Sequence, residues 1–266
     1  HHFDFPSRGG RLPKHEPTIV WNSLIGQAFL DGYELLQERR YLEIAESVCR
    51  WILRLPRENT SSGSCLSYVA YQQNSVHNSN MLGAAMLART ARFTGDRKAS
   101  KVAKEAMEFS CSRQLGDGAW YYGVHPNTHW IDNFHTGYNL DSLRSYIEPT
   151  GDPDYAGNLR RGYEYYKRTF FEESGRPKYY HNRAYPIDIQ CAAQAIDTLT
   201  GFSASDETSL ELAVNVAKWT MENMQDDSGF FYYRILPRMK VKIPMMHWGQ
   251  ATMYKALVQL TGALRK

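Results

Sequence analysis

Apolar residues recur at intervals of three and four along most of this chain, and that spacing predicts a helical protein. The segment from Tyr41 to Leu53 shows the pattern clearly, because its apolar positions fall on one face of a helix. Eight such stretches form four successive pairs, and a ninth, at about 247–264, ends the sequence. Short turns join the two members of a pair, as at Gly95-Asp96 and Gly151-Asp152. We therefore predict a series of helical hairpins.

The loops between successive hairpins share a second pattern, in which a glycine precedes aromatic residues. Their aligned tyrosines, Tyr68, Tyr122, Tyr180 and Tyr233, are separated by 54, 58 and 53 positions. A fixed period of this length is typical of a stacked array of one helical unit. The period predicts a single domain over residues 1–266. It divides into an entry loop at 1–17, hairpins at about 18–76, 77–131, 132–187 and 188–246, and a closing helix at 247–266.

The two helices of a hairpin differ in composition. The first is richer in Ala, Gly, Asn and Gln, whereas the second carries more Lys, Arg and Glu. This contrast predicts buried inner helices and half-exposed outer helices, as in an all-α toroid or a curved solenoid. Only about four and a half hairpins are present, and a closed ring of six needs roughly 330 residues or more at this period. We expect an (α/α)6 barrel that lacks hairpins at its amino end, or an open array.

Composition and charge narrow the range of partners. The 266 residues are 42% hydrophobic and carry a net charge of +3, which favours one sizeable core and gives no case for nucleic acid. No apolar run approaches 18 residues, so we expect no membrane span. A cytoplasmic protein is expected, with a periplasmic or secreted one as the alternative because the sequence begins inside a loop. The four cysteines form no CxxC pair and are expected to be reduced and buried.

The richest candidate segment runs from Trp120 to Asp141 and contains three histidines, two aspartates and three asparagines. Asp132, His135 and Asn139 are spaced to share one face of an inner helix. Asp132 also suits a purely structural duty as a helix N-cap. In the neighbouring hairpins its position is taken by Asn78 and Asp188.

The next loop, residues 178–188, adds Tyr180 and His181 as proton-transfer candidates and Arg183 as a partner for an anionic substrate. Aromatic, amide, carboxylate and imidazole groups converging at one end of the inner helices suit a sugar. The last loop, residues 232–242, is basic, as expected for a solvated loop or a contact with a uronic-acid polymer. The predicted substrate-binding residues are His77, Asn78, Trp120, Tyr122, Trp130, Asn133, Asn139, Arg183, Tyr185, Tyr233, His247, Trp248 and Gln250.

Several well-defined motifs are absent from the sequence. There is no HExxH, GxSxG, Walker A or GxGxxG pattern. His125, His129 and His135 lie close enough in the sequence to hold zinc as a minor alternative. We predict neither a metal nor a cofactor.

Hairpin period and aromatic loops together resemble the six-hairpin glycosidase superfamily of (α/α)6 toroids. More narrowly, Trp-Ile-Asp-Asn-Phe-His at 130–135 and Tyr-Pro-Ile-Asp-Ile at 185–189 look like a bacterial polysaccharide-biosynthesis family of the VpsJ type. The resemblance implies the toroid fold and a role in the synthesis of an extracellular or capsular polysaccharide, but it implies no reaction mechanism. Residues 114–120 also look like the Gln-Gly-Trp motif of terpene cyclases, although the Asp-x-Asp-Asp motif of those proteins is missing.

These observations predict a carbohydrate-active protein that acts on an acidic glycan. For glycoside hydrolysis, Asp132 and Asp188 are the expected carboxylate pair, with Asp117 as a third candidate. For elimination or epimerisation of a uronate, Tyr180 or His135 would take the proton, and Asn133, Arg183 or His181 would neutralise the carboxylate. Hydrolysis is slightly favoured. The alternative outside enzymology is a glycan-binding scaffold, and the expected partners are an oligo- or polysaccharide and a polysaccharide-synthesis complex.

Overall fold

The computed structural model describes residues 4–7 and 10–265. It confirms the predicted order of four helical hairpins followed by a final helix. The first two hairpins are α1 (Ile19–Leu36) with α2 (Arg39–Ile52) and α3 (His77–Thr94) with α4 (Arg97–Cys111). The next two are α5 (Asn133–Thr150) with α6 (Ala156–Thr169) and α7 (Ile189–Gly201) with α8 (Glu207–Met224). A turn of π-helix at Met246–Ala251 leads into α9 (Thr252–Leu264).

The second and third hairpins turn at Gly-Asp sequences, at 95–96 and 151–152, and the second shows how. Gly95 ends α3 in the left-handed region at φ +70°, a conformation that costs glycine little. Asp96 then caps α4 by accepting hydrogen bonds from the backbone N–H groups of Lys98 and Ala99. The glycine therefore ends the first helix of the hairpin, and the aspartate that follows it begins the second.

The described residues pack as two compact units. The first comprises the chain up to Gly116 together with Trp120–His129 and Ser142–Leu159. In it α3 packs against α1, α2 and α4, and most of its residues are buried, as expected for an inner helix. The second comprises Asp117–Ala119, Trp130–Asp141 and the chain from Arg160 onward. In it α7 is buried along its length and packs against α8 and α9.

Short antiparallel strands, which the periodicity did not predict, occupy parts of the loops. The first unit contains β1 (Phe5–Ser7) with β2 (Gly10–Leu12), inside the predicted entry loop, and β3 (Arg57–Thr60) with β4 (Gly63–Leu66). The second contains β5 (Ile187–Asp188), β6 (Arg234–Leu236) and β7 (Met239–Val241) as one sheet in that order. The remainder of the entry loop, residues 1–3 and 8–9, lies outside the described residues.

The repeated loop glycines share one backbone conformation. Gly63, Gly118, Gly175 and Gly229 have φ values of +89°, +98°, +83° and +96°. At the first three, a Cβ would lie 2.2 to 2.6 Å from backbone atoms of the outer helix of the following hairpin, α4, α6 or α8 respectively. Glycine therefore lets each loop touch the next outer helix directly. At Gly229 a Cβ would meet no atom within 4 Å among the described residues.

Two further expectations bear on the chain as a whole. All four cysteines are buried and carry free thiols, as predicted. Within residues 4–7 and 10–265, no helix is both long and apolar enough to cross a bilayer. The single domain over residues 1–266 stays a prediction, as do the boundaries of its hairpins.

Candidate active site

Asp132 lies just before α5 in the second unit, and its carboxylate bonds to Trp130 and His135. Its Oδ1 accepts the backbone N–H of His135 at 3.0 Å, so the residue does cap the helix. Its Oδ2 accepts the Nε1–H of Trp130 at 2.9 Å and bonds to Nδ1 of His135 at 2.7 Å. The side chain is wholly buried. The capping duty and the functional duty predicted for Asp132 therefore use different oxygens.

The bond between Asp132 and His135 fixes the state of the imidazole. A carboxylate accepts hydrogen bonds, so Nδ1 of His135 carries the proton and donates it to Oδ2. Nε2 is then the nitrogen on which a proton can be taken up or released. The His135 side chain is 19% exposed, whereas Asp132 is shielded from water. A carboxylate that orients an accessible histidine is a standard arrangement for acid–base catalysis.

His181 lies beside this pair on the loop that precedes β5. Its Nδ1 lies 3.2 Å from the carbonyl oxygen of Ile131, and its backbone N–H donates to the same oxygen at 3.3 Å. A carbonyl can only accept, so Nδ1 of His181 is also the protonated nitrogen. The loop is held against the start of α5 by the bridge between Asp132 and Tyr180. Two histidines are thereby attached to the consecutive residues Ile131 and Asp132.

Asp188, the repeat equivalent of Asp132, caps α7 but has a different partner. Its Oδ1 accepts the backbone N–H of Gln190 at 2.9 Å. Its Oδ2 accepts both Nε–H and Nη2–H of Arg234, at 2.8 and 2.6 Å. Burial raises the pKa of the Asp188 carboxyl, while Arg234 and the Gln190 N–H act in the opposite direction and the nearby Asp132 charge adds to the rise.

Arg234 is the site residue that the sequence analysis missed. It lies on β6 directly opposite Asp188 on β5, and its guanidinium lies 4.6 Å from the ring centre of Tyr233 and 5.6 Å from that of Tyr179. The sequence showed only a basic loop. Pairing between strands that are 46 residues apart leaves no periodic signal, so the partner of Asp188 was not predictable.

Aromatic rings surround the acid–base pair. Tyr179, Tyr180 and Cys191 form a buried cluster against which Trp130 and Phe134 pack. The Phe134 ring centre lies 3.9 Å from that of His135. Arg183 is exposed, and its guanidinium lies over Tyr180 at 4.1 Å. The region thus combines an apolar floor with one cation at its edge.

Two predicted amides near Asp132 are buried with unsatisfied atoms. Asn133 accepts the Tyr166 hydroxyl at 2.8 Å through Oδ1, but its Nδ2 has no partner among the described residues. Asn139 is 3% exposed, and its Oδ1 likewise lacks a partner within the part of the chain that the structure describes. Buried amides of this kind are normally satisfied by ordered water or a ligand.

The remaining predicted residues of the second unit have mixed surroundings. Tyr185 precedes a cis proline and lies beside Arg176, and Tyr233 pairs with Arg234. His247 is exposed and Trp248 is half-buried, both in the π-helical turn. Gln250 bonds to both the N–H and the C=O of Phe231, at 2.9 and 2.7 Å. The amide of Gln250 therefore holds the last loop through both Oε1 and Nε2, and its role as a sugar ligand stays a prediction.

Four predicted binding residues belong to the first unit, and two of them are core residues there. His77 is 3% exposed with Nδ1 3.1 Å from the Ser110 hydroxyl, and burial lowers its pKa to about 3. Trp120 is 2% exposed, and its Nε1–H donates to the Ser110 carbonyl. Both rings are buried in the first unit, and their roles in sugar binding stay predictions. Asn78 is buried, and its Oδ1 has no hydrogen-bond partner among the residues that the structure describes, whereas Tyr122 is half-buried.

The minor candidates for catalysis and metal binding have structural partners. Asp117 is exposed and accepts the backbone N–H of Ala119 in a tight turn. His129 stacks on Tyr121 and bonds to the carbonyl of Val124. No group of three or more His, Cys, Asp or Glu side chains suited to a metal occurs within residues 4–7 and 10–265.

The comparisons with known proteins identify the fold. No sequence profile of a protein family matches the chain, and a search of curated proteins finds no match. A sugar epimerase from a ruminal bacterium superimposes with a TM-score of 0.77 at 13% identity, over 99% of this chain and 75% of the epimerase. This chain has the α/α-toroid fold.

Two further solved structures share this fold, and both are of proteins named for a carbohydrate substrate. An unsaturated glucuronyl hydrolase specific for heparin matches with a TM-score of 0.74 at 10% identity, over 94% of this chain and 76% of the hydrolase. An inactive α-1,6-mannanase variant from a Salegentibacter species, in complex with α-1,6-mannotriose, matches with a TM-score of 0.71 at 16% identity. The match covers 95% of this chain and 78% of the mannanase chain. At such identities the likeness concerns the fold.

Proposed function

We propose that this protein is a carbohydrate-active enzyme that moves a proton to and from a sugar carbon, as a sugar epimerase does. The observation that carries the proposal is the buried Asp132 carboxylate bonded at 2.7 Å to the accessible imidazole of His135. In the proposed step, Nε2 of His135 removes the proton from a carbon next to a carbonyl or carboxylate. The electron pair moves onto that group, and a proton returned to the opposite face inverts the carbon.

Epimerisation also needs a proton donor on the other face of the sugar, and His181 is the proposed donor. Its Nδ1–H is held by the Ile131 carbonyl, so Nε2 is the atom that exchanges protons with the substrate. His135 and His181 are fixed to neighbouring backbone positions by different partners. Each ring has a fixed partner at Nδ1, so Nε2 is the proposed proton-transfer atom of both.

Hydrolysis by the pair Asp132 and Asp188 is the second candidate. Burial raises the pKa of Asp188, as a general acid requires, and the α-1,6-mannanase with two successive aspartates changed to asparagine is inactive. Against this candidate, Asp188 is held by two N–H groups of Arg234 and Asp132 by three N–H donors. The Arg234 guanidinium opposes the rise in the pKa of Asp188, and a carboxylate held by two of its N–H groups is poorly placed to donate a proton to a sugar.

An acidic substrate fits the edge of this site. No carboxylate of the described residues lies within ion-pair distance of Arg183, and its guanidinium is ordered over Tyr180. A planar guanidinium held in this way can bind a sugar carboxylate through two N–H groups. The glucuronyl hydrolase is a fold relative that acts on such a sugar. Together with the resemblance of residues 130–135 and 185–189 to the VpsJ type, this supports a role in making or remodelling an acidic polysaccharide.

The test is an isotope experiment with neutral and uronic-acid oligosaccharides. Each sugar is incubated with the protein in heavy water and, separately, in water enriched in heavy oxygen. Products are examined by mass spectrometry and ultraviolet absorbance. The proposal expects deuterium on a sugar carbon, no heavy oxygen and no new absorbance, with a faster reaction on the uronic acids.

Variants connect the result to the site. His135→Gln should abolish deuterium uptake, while His129→Gln, a change at an exposed histidine, should leave it unaltered. Uptake of heavy oxygen without deuterium would replace the proposal with hydrolysis. A product that absorbs in the ultraviolet would replace it with elimination, and binding without any product would leave a glycan-binding scaffold.

A further inference from the structure

The charge of this chain is distributed unevenly. Residues 228–266 contain seven lysines and arginines and no aspartate or glutamate, although the whole chain carries a net charge of only +3. Three of these cations, Arg238, Lys240 and Lys242, belong to the hairpin of β6 and β7 or directly follow it. We call residues 237–246 the basic hairpin tip. All three cations are exposed.

The basic hairpin tip also exposes large apolar side chains. Met239, Ile243 and Met246 are 59%, 60% and 68% exposed. They alternate with the cations from Arg238 to Ile243, so successive side chains along β7 point to opposite faces of the hairpin, and both basic and apolar groups are exposed at its end. Isolated exposed apolar residues are ordinary, but three large ones within ten residues, interspersed with three exposed cations, make this segment a candidate contact surface.

The cations of the tip are not used to stabilise the fold through ion pairs. None of Arg238, Lys240 and Lys242 lies within 4.0 Å of a carboxylate among the described residues. Lys240 donates to the carbonyl of Asn223, and the ammonium groups of Lys240 and Lys242 lie 5.9 and 5.0 Å from the ring centre of Tyr232. Asp226, whose pKa is lowered chiefly by Ser228 and only weakly by Lys242, is already bonded to Ser228 and Tyr232.

We infer that the basic hairpin tip docks the protein on an anionic lipid surface. Lysine and arginine side chains attract acidic lipid headgroups, and exposed methionine and isoleucine side chains enter the boundary between headgroups and acyl chains. An acidic polysaccharide would satisfy the cations but would give Met239, Ile243 and Met246 no apolar environment.

Docking through this tip has a consequence for the candidate site. Arg234, the partner of Asp188, lies on β6 of the same hairpin, and β6 pairs with β5 at Asp188. A sugar carried on a lipid would therefore be presented near the acid–base residues. The docking inference itself does not depend on the proposed activity, because lipid binding can be measured without turnover.

The experiment is co-sedimentation of the full chain with vesicles. One set contains phosphatidylcholine alone, and the other has about a third of its lipid replaced by phosphatidylglycerol. We expect binding to the anionic vesicles only, weakened when salt rises from about 0.1 M to about 0.5 M. Heparin serves as a lipid-free anionic probe in parallel.

Two double variants separate charge from apolar insertion. Arg238→Gln with Lys242→Gln should weaken vesicle binding roughly 30-fold, at about fivefold for each charge. Met239→Ser with Ile243→Ser should weaken it on the order of tenfold or more while leaving heparin binding unchanged. The matched controls are Lys98→Gln with Lys101→Gln and Leu35→Ser with Leu36→Ser, which alter exposed residues of the first unit.

Each outcome of these measurements either supports or overturns the docking inference. Loss of vesicle binding in both hairpin variants, with both controls retained, supports the inference. Binding to heparin but not to anionic vesicles would overturn it in favour of a polysaccharide surface. Binding to neither probe would overturn it outright, and so would vesicle binding that the Met239 and Ile243 changes leave intact. Thermal melts of the variants check that each is folded. Normal folding is expected because the altered side chains are exposed.

Discussion

At the scale of single residues, Asp132 shows how one side chain serves both fold and chemistry. Oδ1 caps α5 through the N–H of His135, and Oδ2 holds the rings of His135 and Trp130. Asparagine caps a helix nearly as well as aspartate, but it carries no negative charge for the imidazole. The two duties can therefore be separated by substitution.

Asp132→Asn should leave the unfolding free energy within about 1 kcal/mol of the wild type, because the cap survives. Proton exchange on the sugar should fall by about two orders of magnitude or more, because His135 loses its carboxylate partner. Urea unfolding and the deuterium assay measure the two effects. Asp117→Asn is the control at an exposed aspartate in a turn. Full activity of Asp132→Asn would remove the carboxylate from the mechanism.

Asp188 and Arg234 form a pair in which each residue keeps the other satisfied. Arg234→Met should destabilise the protein by roughly 3–5 kcal/mol, because it leaves a buried carboxylate without its cation. Asp188→Asn combined with Arg234→Met should recover most of that loss, since the cap on Gln190 is retained and no charge is buried. Urea unfolding of both single variants and the double variant gives the coupling energy. Additive losses would mean that the pair contributes no specific interaction.

His77 predicts a pH dependence of stability. Burial lowers its pKa to about 3 from an ordinary value of 6.5, so below pH 6.5 the unfolded chain binds a proton that the folded chain does not. Its contribution is constant above pH 6.5, and stability is lost as pH falls toward 3, by at most about 1.4 kcal/mol for each pH unit. His77→Asn should flatten this part of the stability profile, whereas His125→Asn should not. Equal slopes in both variants would refute the assignment.

At the scale of elements, the loop glycines explain how the hairpins stack. Gly118 at φ +98° would place a Cβ 2.3 Å from the carbonyl oxygen of Arg161 on α6, whereas Gly229 at φ +96° faces open space. Alanine strains the backbone at both positions, but it collides with a neighbour at only one. The two glycines therefore separate the cost of conformation from the cost of packing.

Gly229→Ala should destabilise the second unit by about 1 kcal/mol through backbone strain alone. Gly118→Ala should cost at least about 3 kcal/mol, because backbone atoms of α6 must also move. Chemical denaturation of the two variants compares them directly. Equal losses would show that the close approach of the Gly118 loop to α6 contributes nothing to stability.

The elements also show what a sequence can predict. The hairpins were predictable because helix periodicity, Gly-Asp turns and the 55-residue repeat all report local structure. Asp132 and His135 were predictable as partners because they are three residues apart on one helix. Arg234 was not, since its contact with Asp188 depends on strand pairing across 46 residues. The burial of His77 and Trp120 against Ser110 was not predictable either, because their residue types and repeat positions are the same as those of the other predicted binding residues.

At the scale of the whole molecule, the four cysteine thiols are distributed between the buried cores of the two units. Cys49, Cys65 and Cys111 lie in the first unit and Cys191 in the second, all between 0% and 6% exposed. Burial raises the pKa of Cys49 and of Cys65 to about 12, and the pKa of Cys191 also lies well above its ordinary value. Reactivity follows the thiolate and requires access, so both conditions protect these residues in the folded chain.

We expect no measurable reaction of the native protein with a disulfide reagent such as dithionitrobenzoate at neutral pH, and four equivalents of thiol after unfolding in guanidinium. Because the thiols are divided three to one between the units, labelling with mass-spectrometric mapping at intermediate denaturant reports on each unit separately. Simultaneous exposure of all four would mean that the two units unfold as one cooperative body, and early exposure of Cys191 alone would mean that the second unit opens first. Rapid labelling of any cysteine in the native state would contradict the burial on which the prediction depends.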